Sequence, residues 1–343
     1  MSTLTERVDQ TNIYVQPILF ILTMITNILN ICILRDRTLR SSPCSHYFIS
    51  FSVSSILYTC FLCPTQSLRR YNILWINTTV GCKLNPFLLF GLPLQASLML
   101  ILASFDRFCS SSMSVKLRSM SNIRVARWSI ILSSFLCALC MSPMIFIYDF
   151  NSTIHLCTQY SNLLTAIFTF GQIIVYCILV PISMAVFGIL TITNIRQQLI
   201  RVRPIGGNNQ NRRTETQLAR MLIIQIGVHM IFALPFGIVY LLNTFMPLSR
   251  TPFIIGLRLA FVTWQQCDYF VPFFLYTLSS SVYRVKLFRM LKLKHHDNNV
   301  TIYFTQTQAY NTRHNGVGVG VGVGIIFIKY SHPHPHPQDG INQ

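Results

Sequence analysis

The sequence predicts an all-α membrane protein: a seven-transmembrane helix bundle with its N-terminus outside and a short amphipathic helix after the seventh span. Three observations lead there. Charged residues make up only 10% of the 343, while 52% are hydrophobic and the mean hydropathy is +0.48; soluble domains carry roughly a quarter charged residues. Seven apolar segments occur, each near or above the roughly 20 residues that a helix needs to cross a bilayer. Lys and Arg are unevenly shared between alternate connectors, which fixes an orientation.

The N-terminal residues 1–14 are polar ("MSTLTERVDQTN…") and read as a short extracellular segment without a cleavable signal, so that the first span serves as the targeting signal. The spans follow at about 15–34, 46–68, 84–105, 125–147, 163–193, 217–243 and 252–278, giving a bundle over 15–278. Prolines inside them (Pro93, Pro143, Pro181, Pro235, Pro272) are tolerated in bundled helices, where neighbours re-satisfy the freed backbone groups. With the N-terminus outside, the inner connectors 35–45, 106–127 and 194–216, and the segment after 278, hold most of the cations. The outer side has Arg7, Arg69, Arg70, Lys83, Arg250 and Arg258. The sequons at Asn77 and Asn151 fall in outer connectors and are the expected glycosylation sites, whereas the third, at Asn299, falls inside and reads as chance.

Residues 279–296 carry Val282, Val285, Leu287, Phe288 and Leu291 among Arg and Lys, the pattern of an amphipathic helix along the cytoplasmic interface; the alternative is a disordered basic stretch. From 297 to 343 the chain turns to low complexity ("GVGVGVGVG", "HPHPHP") and is expected to be a disordered cytoplasmic tail. The net charge of +18 therefore points to membrane lipid and acidic partners, not to nucleic acid. The eleven cysteines fit neither a metal site nor a dense disulfide framework. No spacing of catalytic or cofactor-binding residues stands out, so neither an enzyme nor a cofactor is expected.

Two features carry chemistry. Cys82, before the third span, and Cys157, between the fourth and fifth, are the clear cysteine pair in outer connectors, where an oxidising environment closes disulfides; the alternative is two free thiols. Asp106 and Arg107 stand side by side at the foot of the third span, either as an interfacial charge pair or as a switch.

Together these residues resemble the rhodopsin-like (class A) G protein-coupled receptors over about residues 15–290. Cys82 and Arg107 are 25 residues apart, as in that family, and Asp106-Arg107-Phe108 stands where its Asp-Arg-Tyr motif lies. Asn27 occupies the family's place in the first span, and Pro181, Pro235 and Pro272 match the kink prolines of the fifth, sixth and seventh. Glu215, 20 residues before Pro235, matches an acid that pairs with the motif arginine in the resting receptor. The resemblance implies a plasma-membrane receptor that binds an extracellular ligand and activates a heterotrimeric G protein, with Asp106, Arg107, Phe108 and Glu215 as the activation switch.

The sequence also departs from the family. The second span lacks the usual mid-membrane acid and offers serines ("SFSVSSILY"), Val271 replaces the Asn before Pro272, Tyr276 comes one place late, and Ala233 stands where an aromatic toggle is usual. The seventh span instead carries Asp268. An intramembrane acid marks function by default. Asp268 either takes the place of the missing acid, pairs with His229 of the sixth span, or is protonated within the bundle; Asn27, His229 and Asp268 form the expected polar core.

For the ligand, Leu89 occupies the position where amine receptors of the family carry an acid, which argues against an amine. No lysine lies in 253–278, which excludes an opsin. Contacts are expected at Leu89, Arg258, Gln265 and Gln266, with a small peptide as the leading class. A degenerate, non-signalling seven-span protein is the alternative function, and a membrane transporter fits less well because no internal repeat is visible.

Overall fold

In the computed structural model the described residues are 4–68, 71, 75–151, 156–159, 163–201, 209–245 and 251–291. Met1–Met290 form one compact unit. Of the second unit only Leu291 is described, so the tail expected over 297–343 and Asn299 lie outside the described residues.

Helix α1 spans Leu4–Leu34, followed by the short α2 (Arg37–Arg40) and by α3 (Pro43–Leu68). Its start precedes the expected span by eleven residues. The polar residues Asn12 and Gln16 do not end it because they are buried against the seventh segment: Thr263 Oγ1 donates to Asn12 Oδ1 at 3.0 Å, and Gln16 Nε2 to Thr263 Oγ1 at 3.3 Å. The two faces of α1 are reversed relative to a water-soluble helix. Thr23, Thr26, Asn27 and Asn30 are buried, while Ile18, Ile21, Ile25 and Ile28 are exposed at a spacing of three to four. Such a stripe is stable only where the surroundings are hydrocarbon.

Helix α4 (Thr79–Ser111) is the central strut, in contact with α3, with α6 (Ile123–Met141), with α9 (Val180–Arg201) and with α10 (Asn209–Phe245). Thr78 caps it, its hydroxyl oxygen accepting from the Gly81 N–H at 3.0 Å. Gly81 is needed there: a Cβ would stand 2.0 Å from the Trp75 carbonyl oxygen. A short helix, α5 (Val115–Met120), leads from α4 into α6, and α7 (Met144–Ile147) follows Pro143. Next comes an antiparallel pair, β1 (Tyr148–Asn151) and β2 (Leu156–Gln159), with Phe150 opposite Cys157. This hairpin is the one departure from an all-helical chain among the described residues.

The fifth segment begins as α8 (Leu163–Ile173), passes through a π-helical stretch, Ile174–Leu179, and continues as α9. The wide turn directly precedes Pro181, whose ring and missing N–H disturb the preceding turn. In α10, side chains are described from Met221 to Leu242. Pro235 leaves the Ile231 carbonyl without its helical partner, and Trp264 Nε1 donates to it at 3.4 Å.

Among the described residues, six helical segments are long and apolar enough to cross a membrane. The expected seventh span, 252–278, is instead two helices, α11 (Pro252–Gln266) and α12 (Val271–Ser279), separated by a 3₁₀ turn at Cys267–Tyr269. Thr251 caps α11, with Pro252 at its first position. Pro272 cannot donate to the Asp268 carbonyl, so the helix restarts after Asp268 instead of running through it. Helix α13 (Ser281–Leu291) ends the described chain, with Tyr283 and Leu287 buried, Phe288 exposed, and Lys286 Nζ 2.7 Å from Asp36 Oδ1.

Candidate functional site

A cavity of about 1080 Å3 opens between α3, α4, the fifth segment, α10 and α11. The Cys82–Cys157 disulfide ties the β1–β2 hairpin to α4, and both cysteines line the cavity. Lys83 and Asp149 add an exposed pair at 3.7 Å. Tyr148 of β1 also lines the wall; burial raises the pKa of its phenol, and the nearby Arg258 partly offsets that shift. Asn77 is half-buried in a short 3₁₀ turn, and Asn151 is exposed at the end of β1.

The wall is aromatic and amide-rich, including Tyr58, Phe90, Tyr176, Phe236, Tyr240, Asn85, Gln172 and Gln265, and among the described residues no Asp or Glu lines it. Asn85 and Gln172 are both more than nine-tenths buried, yet Asn85 Oδ1 and Gln172 Oε1 have no hydrogen-bond partner within the protein. Buried acceptors without donors are costly; both carbonyl oxygens have almost no accessible surface, so they lie behind the cavity wall and do not face its space. Of the expected contacts, Leu89, Arg258 and Gln265 line the cavity. Gln266 is not among the lining residues: it is buried, and both polar atoms of its amide are without a partner.

The cavity floor is polar. His229 Nδ1 and Asp268 Oδ2 are 2.6 Å apart, and Ser97 Oγ stands 3.4 Å from His229 Nε2. Asp268 is 1% exposed, and its Oδ1 has no partner. The structure sets Asp268 against His229, one of the placements that the sequence left open. The 3₁₀ turn makes this possible by setting Asp268 at the break between α11 and α12, facing α10. The order Ser97–His229–Asp268 is also that of a hydrolytic triad. Here, however, Ser97 lies inside α4, where backbone N–H groups are used by the helix, and its hydroxyl donates to the Pro93 carbonyl at 3.0 Å. A site for a developing oxyanion is therefore missing beside it, and the arrangement serves as a cross-link of three helical segments.

Below the floor lies a second polar layer. The Tyr276 hydroxyl donates to Gln225 Oε1. Asn27 Nδ2 donates to the Tyr269 carbonyl at 2.8 Å, Asn30 Nδ2 to Ser52 Oγ at 2.8 Å, and the Tyr283 hydroxyl to Asn30 Oδ1 at 2.9 Å. Sequence reasoning placed Asn27 here and missed Asn30, Ser52, Gln225 and Tyr283. The serine-rich run of the second span was the available signal for Ser52.

At the far end of α4, Arg107 is 2% exposed. Its Nη2 donates to Asp106 Oδ2 at 3.2 Å and to Ser42 Oγ at 2.7 Å, and Ser121 Oγ donates to Asp106 Oδ1 at 2.8 Å. Phe108 packs against Phe105 and Phe187, with ring centroids 6.4 and 6.3 Å away. Glu215 lies on α10, but its side chain is outside the described residues. Pro181 lines the cavity wall.

A multi-pass helical bundle with a disulfide-tethered hairpin at one end of its third segment, a deep cavity beneath it and a buried arginine at the other end defines a receptor-type membrane protein. The family model described as 7 transmembrane receptor (rhodopsin family) matches residues 26–290. The chain belongs to that family. No curated protein matched the chain in a sequence search.

Proposed function

We propose that this chain is a plasma-membrane receptor, N-terminus extracellular, that binds a ligand in the 1080 Å3 cavity and activates a heterotrimeric G protein at the opposite end. The observation that carries the reading is the geometry of that cavity: bordered by Tyr148 of β1 and by the disulfide, and lined by His229, whose pairing with Asp268 joins α10 to the seventh segment. A ligand reaching the floor acts on the junction that holds α10 in place.

The lining narrows the ligand class. A primary amine needs a carboxylate partner, and the wall offers none; Asp268 is engaged by His229. Arg258 suits an anionic group, while the Gln265 amide suits a hydrogen-bonding one. A small peptide whose N-terminal amine is blocked or stays outside the cavity, and which carries a free or acidic carboxylate, meets all three conditions, so Leu89, Arg258 and Gln265 are assigned to ligand contact. At the other end, Arg107 is assigned to the switch, exchanging between Asp106 and Glu215 and meeting the G protein when released. The positive connectors containing Arg107 and α13 face the cytoplasm in this reading.

The test is purified full-length protein with heterotrimeric G protein and labelled guanine nucleotide, screened against native peptide fractions. A peptide that accelerates nucleotide exchange is expected, and an Arg258→Gln variant should weaken that peptide. Exchange that never rises above the receptor-free rate, with all four classes of G protein α-subunit, would refute the signalling assignment.

A further inference from the structure

A second, smaller and shallower depression, open to the surface, lies at the Arg107 end of the bundle. Its volume is about 380 Å3, and its lining is Arg35, Arg37, Arg40, Ser41, Ile123 and Arg127. Four arginines thus line it, from α2, from the connector between α1 and α2, and from α6, and no acid lines the space among the described residues. The one acid of that connector, Asp36, is engaged by Lys286 at 2.7 Å. Arg40 and Arg127 also both act electrostatically on His46 of α3, which independently places the two connectors' arginines against the same side of the bundle.

The cradle has a further positive source. Ile123 is the first residue of α6, a 19-residue helix, so the positive end of its dipole opens on the same space. Like charges brought together in this way repel, and a bound anion removes the cost. Arginine forks match phosphate oxygens in geometry as well as charge. A space of this volume holds about a dozen waters, room for a phosphorylated headgroup rather than one ion. Its rim runs directly into hydrocarbon-facing surface: Trp128, next to Arg127, is 66% exposed, and Val125, Ile131 and Leu132 are exposed with it. Tryptophan at such a place is typical of the membrane interface.

We propose that this arginine cradle is a binding site for a phosphomonoester group, presented by the headgroup of a membrane lipid. The site is separate from the ligand cavity and from Arg107. It adjoins the latter in sequence, since Ser41 lines the cradle and Ser42 holds Arg107.

The experiment uses the full-length protein in nanodiscs of phosphatidylcholine doped with a fluorescent phosphatidylinositol bisphosphate, with binding read by energy transfer. Each arginine removed should weaken binding about fivefold, so Arg37→Gln/Arg40→Gln/Arg127→Gln together should lose on the order of 100-fold. These side chains are exposed, and the single Arg37→Gln variant, with three arginines left, provides the fivefold step if the triple variant is not monodisperse. A control, Lys116→Gln/Arg118→Gln/Arg289→Gln, removes the same charge elsewhere and should change binding less than about threefold. Equal losses in both triples, no loss in the cradle variants, or equal binding of phosphatidylserine at matched charge overturns the proposal in favour of general surface attraction. In a separate arm, millimolar inorganic phosphate should not displace the lipid; displacement that depends on the cradle arginines overturns the lipid source and assigns free phosphate.

Discussion

The His229–Asp268 pair gives the most direct quantitative test of the structure. The two side chains are 8% and 1% exposed and 2.6 Å apart. Removing one partner of such a buried pair leaves the other uncompensated, at a cost of about 3–5 kcal/mol, whereas replacing both with apolar residues of similar volume ranges from neutral to stabilising by about 1–4 kcal/mol. Asp268→Leu and His229→Phe should therefore each lose about 3–5 kcal/mol, a factor of at least about 100 in the folded ratio. The double variant should recover most of that loss. Equilibrium unfolding in mixed detergent–SDS micelles measures all four corners of the cycle, and the coupling should exceed about 3 kcal/mol. Single losses that add to within about 0.5 kcal/mol would refute the reasoning. The milder Asp268→Asn keeps the shape and a hydrogen bond to His229. It should reach the surface yet signal less than the parent; unaltered signalling would reduce Asp268 to a satisfied polar group.

Other expectations follow from the two ends of the bundle. Cys82→Ser or Cys157→Ser opens a bridge between residues 75 apart in sequence and should cost about 3–5 kcal/mol, read as faster heat inactivation in detergent; equal half-lives for parent and variant would contradict this. Glycosidase treatment should shift the gel mobility of the parent but not of an Asn77→Gln/Asn151→Gln variant, and a shift abolished instead by Asn299→Gln would invert the orientation. Glu215→Ala should raise ligand-free nucleotide exchange, and Arg107→Ala should abolish coupling. A latch worth about 1–3 kcal/mol moves the resting ratio roughly 5- to 150-fold, and unchanged behaviour in both variants returns Arg107 to an interfacial charge.

The features legible in the sequence were those with a local or periodic signature. Apolar run length marked the bundle, and the isolation of Cys82 and Cys157 from the apolar runs marked the bridge. Asp268 announced itself as an acid in an apolar segment, with His229 among its named alternatives. What escaped were features set by partners far apart in the chain. Helix α1 runs on to Leu4 because Thr263, about 250 residues away, bonds Asn12 and Gln16. Asn30 joins Ser52, 22 residues on, and Tyr283, 253 residues on, and no spacing rule connects them. The break at Cys267–Tyr269 did have a signal, Pro272, but a run of apolar residues on both sides hid it. The β1–β2 hairpin was masked by its shortness, four residues a strand.

These polar contacts are not scattered. Gln225 and His229 are four residues apart, hence on one face of α10, and they meet Tyr276 and Asp268 on the seventh segment. Between them they form two rungs joining α10 to that segment, and the bond from Trp264 to the Ile231 carbonyl forms a third. The third exists because Pro235 freed its acceptor, so the family's kink proline serves here as a docking point. The three rungs oppose a rotation of α10 that leaves the seventh segment in place. His229 is the rung that the large cavity reaches, and Ser97 and the partnerless Asp268 Oδ1 show that its surroundings retain spare hydrogen-bonding capacity. A ligand that offers His229 or Asp268 a better partner exchanges one rung for its own contact, and such an exchange shifts an equilibrium only by the ligand's difference in affinity for the two states. On the proposed function, and in a chain without the second-span acid, that puts the trigger in the join between α10 and the seventh segment, where the cavity reaches His229 and, through it, Asp268.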